Sequence, residues 1–388
     1  MNETLGIYIH IPYCLQRCTY CDFATYVYKE ILPPEKYIEL VKTEIKLRAG
    51  IFNPTNKQIS LSTIYFGGGT PSLISAELII DLISELAKYG FKTGPQTEIT
   101  IEINPATVDE KKLVTYLSNG VNRFSVGAQT FSDKHLKAVH REHNAEQTVQ
   151  TLKLLQKNGL NFSFDLLFAL PNQTITELKY DVEKSVELGA SHISPYCLTV
   201  PEGHPLSKDR PLEDDQIEMF DIIHQGLSAQ GFHRYEISNY CKLGFESRHN
   251  LLYWTDENYW GLGLSAHSYQ RQSSELPWGQ RFWNASNINI YEKEILAQTA
   301  QPLENQFEHL KKNQSLTDFC HTSLRLGNGL DLKKVETKFG SAELFSVLQI
   351  AEKMLRKNLL LRQDQHLKLT QEGILISNQV FEQFTFLE

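Results

Sequence analysis

Short apolar runs alternate with segments of helical periodicity over the first half of the chain. Between the runs, apolar residues recur three and four positions apart, which predicts helices over residues 34–49, 76–89, 109–119, 145–158 and 176–188. The runs themselves predict strands over residues 6–12, 63–67, 98–104, 123–129, 162–169 and 192–199. This alternation is typical of parallel strands joined by crossover helices, so we expect an α/β fold with an incomplete barrel or an open sheet.

The pattern changes near residue 305. Helical segments over 315–326, 331–338 and 344–357 precede residues 359–370, which predict a hairpin with a polar turn, and a further helix begins at Gln371. Helices followed by a small hairpin resemble a winged-helix module. We therefore predict three parts: a core at 1–235, a connecting region at 236–304 and a smaller C-terminal helical, winged-helix-like domain at 305–388.

Composition excludes several classes of protein. The 388 residues carry a formal net charge of −8, which disfavours general binding to nucleic acid or anionic membranes. We therefore expect the C-terminal part to serve as a lid or a docking surface for a partner rather than to bind nucleic acid. No apolar run approaches the roughly 18 residues that span a bilayer, and no basic segment precedes an apolar stretch at the start. We expect a cytoplasmic protein in a reducing compartment, where cysteines serve more often as ligands than in disulfides.

Three of the six cysteines lie within eight residues, at Cys14, Cys18 and Cys21. A structural zinc site normally has four protein ligands, and no fourth Cys or His follows at zinc-like spacing. Iron–sulfur clusters are held by Cys thiolates, and three ligands leave one iron free for another molecule. We expect His10, four residues upstream, to be structural, and the three isolated cysteines to pack as small apolar residues.

Polar residues occur where successive predicted strands end. They are the glycine turn 67–69 with Thr70, then Glu102, Gln129, Arg141 and Asp165. The carboxyl ends of parallel strands are the usual place for ligands in such folds. The three glycines indicate either a close backbone approach to a ligand or a flexible turn. The set as a whole predicts a binding site at this end of the sheet.

At this point the chain resembles the radical S-adenosylmethionine (radical SAM) superfamily. The similarity is greatest to the branch that contains oxygen-independent coproporphyrinogen III oxidase and a group of heme chaperones. It covers roughly residues 5–270, with a looser match beyond. It is carried by Tyr8-Ile-His-Ile-Pro-Tyr-Cys14, Tyr65-Phe-Gly-Gly-Gly-Thr-Pro-Ser72, Ile101-Glu-Ile-Asn-Pro105, Ser125-Val-Gly-Ala-Gln-Thr-Phe131 and Asp165-Leu-Leu-Phe-Ala-Leu-Pro-Asn-Gln-Thr174.

The resemblance implies a partial (β/α)6 TIM-like barrel that binds a 4Fe–4S cluster through Cys14, Cys18 and Cys21. It implies that SAM occupies the fourth iron, and that an electron donor such as flavodoxin or ferredoxin is needed if SAM is cleaved. It assigns no catalytic residue. The SAM contacts that it implies are Tyr8, Tyr20, Gly68, Gly69, Thr70, Glu102, Gln129, Arg141 and Asp165.

Two departures separate the chain from the oxidase. The oxidase motif has a further cysteine two positions after its last cluster ligand, where this chain has Phe23. The oxidase also carries an N-terminal arm, for which Cys14 leaves no room. Both put coproporphyrinogen decarboxylation in doubt.

The string His249-Asn250-Leu-Leu-Tyr253-Trp254 resembles the heme-binding signature proposed for the chaperones of this branch. Histidine ligates heme iron, and aromatic rings stack on porphyrins. A histidine followed by aromatic residues is also typical of a loop whose side chains only pack in the protein interior. Other candidates for the iron ligand are His10, His267 and Cys241, and the glycine turn 261–267 lies either beside the SAM pocket or at a domain junction.

We therefore expect a heme chaperone that binds a 4Fe–4S cluster, SAM and heme and transfers heme to an acceptor protein, with membrane contact only through that acceptor. The alternatives are an oxygen-independent coproporphyrinogen III oxidase, another radical SAM enzyme, and an iron–sulfur binding module without turnover.

Overall fold

The computed structural model of the chain describes residues 4–298, 302 and 304–387. Four parts of the predicted domains lie outside the described residues: residues 1–3 of the core, 299–301 and 303 of the connecting region, and residue 388 of the C-terminal domain.

One sheet of twelve strands organises most of the molecule. Its strands, in chain order, are β1 (Leu5–Ile11), β2 (Thr63–Gly68), β3 (Glu98–Ile103), β4 (Arg123–Gln129), β5 (Asn161–Phe168), β6 (His192–Cys197), β7 (His233–Glu236), β8 (Asn239–Cys241), β9 (Asn258–Leu262), β10 (His267–Gln270), β11 (Gln280–Trp283) and β12 (Phe307–His309). The spatial order is β7-β8-β6-β5-β4-β3-β2-β1-β9-β10-β11-β12. The strands from β6 to β9 in this order are all parallel, and the pairs at both flanks are antiparallel.

The predicted α/β core is confirmed. The six predicted strands correspond to β1–β6, and their order is that of a barrel in which, among the described strands, β6 does not pair with β1. The five predicted crossover helices are also present. They are α1 (Pro34–Phe52), α2 (Ala76–Lys88), α3 (Glu110–Ser118), α5 (Ala145–Lys157) and α6 (Ile175–Glu187), with the short α4 (Asp133–Ala138) between β4 and α5.

Local sequence explains where several of these helices begin. Thr174 accepts a hydrogen bond from the Glu177 backbone, and the Glu177 side chain accepts one from the Thr174 backbone, which together form a capping box. Asn144 and Gln147 form the same arrangement at the start of α5. Pro34 occupies the first turn of α1, where its missing N–H costs nothing.

Alternation along the strands separates an apolar core from a polar interior. Residues that point toward the helices are buried in one large apolar cluster, among them Ile64, Ile101, Phe124, Phe164 and Ile193. Their neighbours along the same strands point into the barrel and are largely polar: Tyr65, Glu102, Arg123, Ser125, Ser163, Asp165, His192 and Ser194 all line a cavity. The interior of this barrel is therefore a site rather than a packed core.

The connecting region extends the sheet, which the apolar pattern did not predict. β9 pairs in parallel with β1, and β10–β12 continue outward from it. The helices in and around this region are α7 (Glu213–Ala229), α8 (Arg248–Trp254) and α9 (Ile288–Leu296). The predicted boundary at 235 and 236 falls within β7, and β12 lies just beyond the predicted boundary at 304 and 305, so the sheet runs across both positions.

The C-terminal helices surround their own apolar cluster, which runs from Leu316 to Phe384. The predicted helices correspond to α10 (Lys312–Arg325), α11 (Leu332–Phe339) and α12 (Ser341–Arg356), followed by α13 (Gln371–Leu375) and α14 (Ser377–Gln383). The predicted hairpin is β14 (Leu360–Gln363) with β15 (His366–Leu369), and β13 (Leu330–Asp331) completes the small sheet. A C-terminal helical domain with a small wing is therefore confirmed.

Candidate functional site

A cavity of about 400 Å³, hereafter the barrel cavity, opens at the carboxyl ends of the parallel strands. Twelve of the sixteen predicted site residues line it: Cys14, Cys18, Cys21, Tyr20, Gly68, Gly69, Thr70, Glu102, Gln129, Arg141, Asp165 and Asn250. Tyr8, His249, Tyr253 and Trp254 are not among its lining residues. The fold thus brings together residues as far apart in the chain as Cys14 and Asn250.

The cysteine loop follows β1 directly. Cys14, Cys18 and Cys21 are all half-buried, and the Cys21 N–H donates to the Cys18 carbonyl at 3.2 Å, which closes the loop into a turn. The Thr70 hydroxyl donates to the Cys14 sulfur at 4.0 Å. Burial, together with the neighbouring Cys21 and Cys18 thiols, raises the pKa of the Cys14 thiol to about 11. The three sulfurs are therefore close enough to interact electrostatically, and a bound cation would favour their thiolates.

The glycine turn brings β2 very close to the cysteine segment. Gly68 has a φ of +115°, and a Cβ there would lie 2.5 Å from the His10 ring. A Cβ on Gly69 would lie 2.6 Å from the Tyr13 carbonyl oxygen. Both positions therefore exclude a side chain. The N–H groups of Gly68, Gly69 and Thr70 donate within the protein, to Glu102, Ile11 and Tyr13 respectively.

Arg141 connects the cysteine loop to the strand ends. Its guanidinium donates to the Asn104 side chain at 2.6 Å and to the Gly127 carbonyl at 2.5 Å, and it lies 3.5 Å from the Cys18 sulfur. Two strong acceptors hold the guanidinium in place, while its Nε has no partner in the described part of the chain. The arrangement leaves a donor for a carboxylate beside the cysteines.

Two carboxylates face the cavity from β3 and β5. Glu102 accepts from the Tyr65 hydroxyl at 2.9 Å and from the Gly68 N–H at 3.0 Å, and burial with the nearby Asp165 raises its pKa to about 7. Burial raises the pKa of Asp165 to about 6, against the opposing charge of Arg123. Both groups are suited to bind hydroxyl or ammonium donors.

Gln129 ends β4 in a strained backbone conformation. Its φ is +68°, in the left-handed region that non-glycine residues rarely adopt, and the register of β4 against β5 shifts between Val126 and Gln129. The side chain is buried and lines the cavity. Strain of this kind concentrates at binding sites, where the surrounding structure maintains it.

The His249 string forms helix α8, which lies at the opposite end of the barrel from the cysteines. The backbone N–H groups of Arg248 and His249 donate to the Glu98 carboxylate at 3.1 and 2.9 Å, and Glu98 is the first residue of β3. The helix therefore closes the amino-terminal end of the strands. Asn250 is the residue of this string that lines the cavity.

His249 is fully buried, and both ring nitrogens are engaged. Nδ1 lies 2.6 Å from the Thr63 hydroxyl and Nε2 lies 2.8 Å from the Tyr253 hydroxyl. The ring stacks on Tyr65, with centroids 5.1 Å apart. Burial, with the charge of Arg123, lowers the pKa of His249 to about 3, so the ring is neutral. In this conformation no nitrogen of His249 is available to a metal.

The other candidate iron ligands are scattered. His10 is buried, contacts Tyr8 and the Ala24 carbonyl through its two nitrogens, and has a pKa lowered to about 4 by burial. His267 is exposed at the start of β10, where it stacks on Trp283. Cys241 is buried beside His233 and Glu246 and is not among the residues that line the cavity.

Trp254, the last residue of the string, contacts the C-terminal domain. The guanidinium of Arg325 lies 4.4 Å from the centre of the Trp254 ring and pairs with the buried Glu236 at 3.2 Å. The turn 261–267 packs closely against α1, because a Cβ on Gly263 would lie 2.5 Å from the Tyr37 hydroxyl. Both features serve the packing between parts of the chain.

Sequence reasoning missed the deeper half of the cavity. Arg123, Ser125, Ser163, His192 and Ser194 line it, each at a position that points inward from β4, β5 or β6. The available signal was the polar residue at every second position of otherwise apolar runs, which is unusual for strands covered by helices. Arg123 at the start of an apolar run was the clearest instance.

The fold and the cavity together define a radical SAM protein. The Radical SAM superfamily matches residues 8–184, and the HemN C-terminal domain matches residues 310–376. The solved structure of coproporphyrinogen III oxidase (HemN) from Escherichia coli superposes with a TM-score of 0.83 over 99% of this chain and 90% of that one, at 20% sequence identity. At this identity the likeness concerns the fold.

Relatives that match over nearly the whole chain identify the family more closely. The heme chaperone HemW of Lactococcus lactis is 34% identical over 99% of this chain and 98% of its own length. HemW of Bacillus subtilis is 31% identical over 97% of this chain, and HemW of Escherichia coli is 36% identical over 68%. The chain belongs to the HemW family. No described helix combines the length and apolar content that a bilayer span requires.

Proposed function

We propose that the chain binds a 4Fe–4S cluster, SAM and heme, and transfers the heme to an acceptor protein. The observation that carries the proposal is the convergence of three thiols and the predicted polar residues on one cavity, in a chain whose full-length relatives are named heme chaperones.

The donor set fits an iron–sulfur cluster. Cys14, Cys18 and Cys21 face the same cavity and influence one another electrostatically, and thiolates are the ligands that such clusters require. A cluster held by these three residues would supply the electron for reductive cleavage of SAM. Thr70 and Arg141 contact two of the sulfurs and so orient the loop.

The polar residues at the cysteine end of the barrel cavity fit a molecule that carries both a positive and a negative charge. Arg141 offers guanidinium donors beside the cysteines, and Glu102 and Asp165 offer carboxylates on neighbouring strands. SAM carries a carboxylate, an ammonium and ribose hydroxyls, which these groups can bind. Tyr20, Gly68, Gly69, Thr70 and Gln129 line the same space, while Tyr8 supports it from inside the barrel through its hydrogen bond to His10.

The residues of the His249 string, which forms α8, have different roles. Asn250 lines the cavity, and we assign it a contact with the bound heme. His249 and Tyr253 hydrogen bond to each other inside the barrel, and Trp254 packs under Arg325, so these three hold the helix in position. Iron ligation by His249 would require both of its hydrogen bonds to break, and the iron ligand is left unassigned.

The cluster assignment is tested with alanine variants of the three cysteines. Anaerobically reconstituted Cys14→Ala, Cys18→Ala and Cys21→Ala proteins should each lose the visible absorption band of the cluster. Cys197→Ala is the matched control, because Cys197 lines the same cavity outside the triad and its variant should retain the band. A full band in all three triad variants would refute the assignment.

The heme function is tested by titration and by transfer. Heme should bind stably to the reconstituted protein, and the complex should pass heme to an apo-acceptor, with the effect of SAM and a reductant measured in parallel. Incubation with coproporphyrinogen III, SAM and reductant should yield no protoporphyrinogen. Efficient decarboxylation without stable heme binding would overturn the proposal in favour of an oxidase.

A further inference from the structure

Arg123 is a buried cation without a partner in the described part of the chain. Its residue is 2% exposed, its Nε is buried without a hydrogen bond, and its side chain forms no ion pair with a described residue. The side chain lines the barrel cavity. A buried charge without a partner costs several kcal/mol, so Arg123 is a group for which a ligand would supply the missing interaction.

His192 presents a second free donor in the same cavity. The Ser247 N–H donates to the Tyr235 oxygen at 3.4 Å, and the Tyr235 hydroxyl lies 2.9 Å from His192 Nε2. The hydroxyl has no other acceptor in the described part of the chain, so its hydrogen goes to Nε2 and the ring proton of His192 is on Nδ1. Nδ1 has no partner among the described residues.

The two donors lie deep in the barrel, on the side of α8. The register pairs Ser125 with Ser163 and Ser163 with His192, so these residues occupy one level of the barrel. Arg123 comes two residues before Ser125 on β4 and is therefore closer to the amino-terminal ends of the strands. The two serine hydroxyls donate in series to Asp165, whereas Nε of Arg123 and Nδ1 of His192 have no acceptor among the described residues.

We propose that Arg123, together with Nδ1 of His192, binds a propionate carboxylate of heme in the deep part of the barrel cavity, on the side of α8. The inference rests on the proposed heme binding and names the part of heme that the cavity recognises. A guanidinium matches a carboxylate in charge and fork geometry. SAM also has a carboxylate, but Arg141 serves the cysteine end of the cavity, whereas Arg123 lies at the end where Asn250 enters.

The electrostatics of the surrounding groups agree with this location. Burial lowers the pKa values of His192 and His249, and the charge of Arg123 adds to this lowering; at Asp165 burial raises the pKa and the charge of Arg123 opposes that rise. Arg123 therefore lies near β5, β6 and α8 at once. The two histidines are neutral, and no described carboxylate pairs with the guanidinium directly.

The test compares heme with its dimethyl ester, which keeps the ring and the iron but lacks charged carboxylates. Both are titrated into the purified holoprotein in the same detergent-containing buffer, for the wild type, Arg123→Gln and Arg123→Lys. The wild type should bind heme about tenfold more tightly than the ester. Arg123→Gln should lose that preference while its affinity for the ester stays unchanged, and Arg123→Lys should keep part of it.

Arg210→Gln is the matched control, because Arg210 lies 3.9 Å from Cys197 at the edge of the cavity. This variant should retain the full preference for heme. Equal binding of heme and ester by the wild type, or loss of the preference in Arg210→Gln instead of Arg123→Gln, would overturn the inference but leave the heme function in place. Failure of the wild type to bind either ligand would overturn both. The cluster band and the melting temperature of each variant show that the holoprotein is intact.

Discussion

The structure predicts that His249 makes a large contribution to the stability of the barrel. Its ring fills a fully buried site, stacks on Tyr65 and bridges the hydroxyls of Thr63 and Tyr253. His249→Ala leaves both hydroxyls without a partner, at about 1 kcal/mol each, and opens a cavity worth about 2 kcal/mol more. We therefore expect the free energy of unfolding to fall by about 4 kcal/mol.

The measurement is denaturant unfolding of the wild type and of two variants, followed by tryptophan fluorescence and circular dichroism. Asn250→Ala is the matched control, because it changes the next residue of α8, whose side chain lines the cavity. It should cost less than about 1 kcal/mol and should weaken heme binding. His249→Ala should show the large loss of stability.

Unfolding of His249→Ala at the same denaturant concentration as Asn250→Ala would contradict a structural role for His249. If stability is unchanged and heme affinity alone falls, His249 is an iron ligand and its buried position is not the state that binds heme. The two outcomes separate the structural role from the ligand role.

Three further predictions concern other buried charges. Glu44→Gln should lower the free energy of unfolding by about 3 kcal/mol, because it breaks the buried ion pair with Arg48. Denaturant titration measures this loss, with Glu39→Gln as an exposed control. Arg325→Ala should cost about 2 kcal/mol, since it leaves the buried Glu236 unpaired, and Arg325→Lys should restore part of it in a thermal melt. Because burial raises the pKa of Glu102 from 4.5 to about 7, this group contributes stability below pH 4.5 that is lost as pH rises through 7. Glu102→Gln should not show that loss, so the stability of the wild type relative to the variant should fall across this range, and a constant difference would contradict the expectation.

Several site residues were predictable because they follow local rules. Cys14, Cys18 and Cys21 lie within eight residues, so one loop brings them together whatever the rest of the chain does. Glu102, Gln129 and Asp165 end or lie within strands whose apolar continuity marked them as parallel, and the carboxyl ends of parallel strands meet at one edge.

The α8 string shows the limit of that approach. Its residues indicated a heme contact by similarity, yet their position at the amino-terminal end of the barrel depends on Glu98, which is 151 residues from His249. Nothing in the string itself distinguishes a helix that closes the barrel from a loop that presents a ligand. Strands β9–β12 were missed for a related reason, because runs of three to five residues carry too little periodicity to be recognised.

The amino-acid sequence by itself determined the α/β class, the alternation of core strands and helices, the grouping of the three cysteines and most of the polar residues at the cysteine end of the cavity, because these follow from local periodicity and short spacing. The tertiary structure alone decided which polar side chains found partners and which did not. His249 acquired two partners, whereas Arg123 acquired none among the residues that the structure describes, although both are buried polar residues in the same barrel. Tyr253 lies four residues from His249 on the same helix, but Thr63 is 186 residues away and meets His249 only when the chain folds, so no local pattern could have revealed that contact.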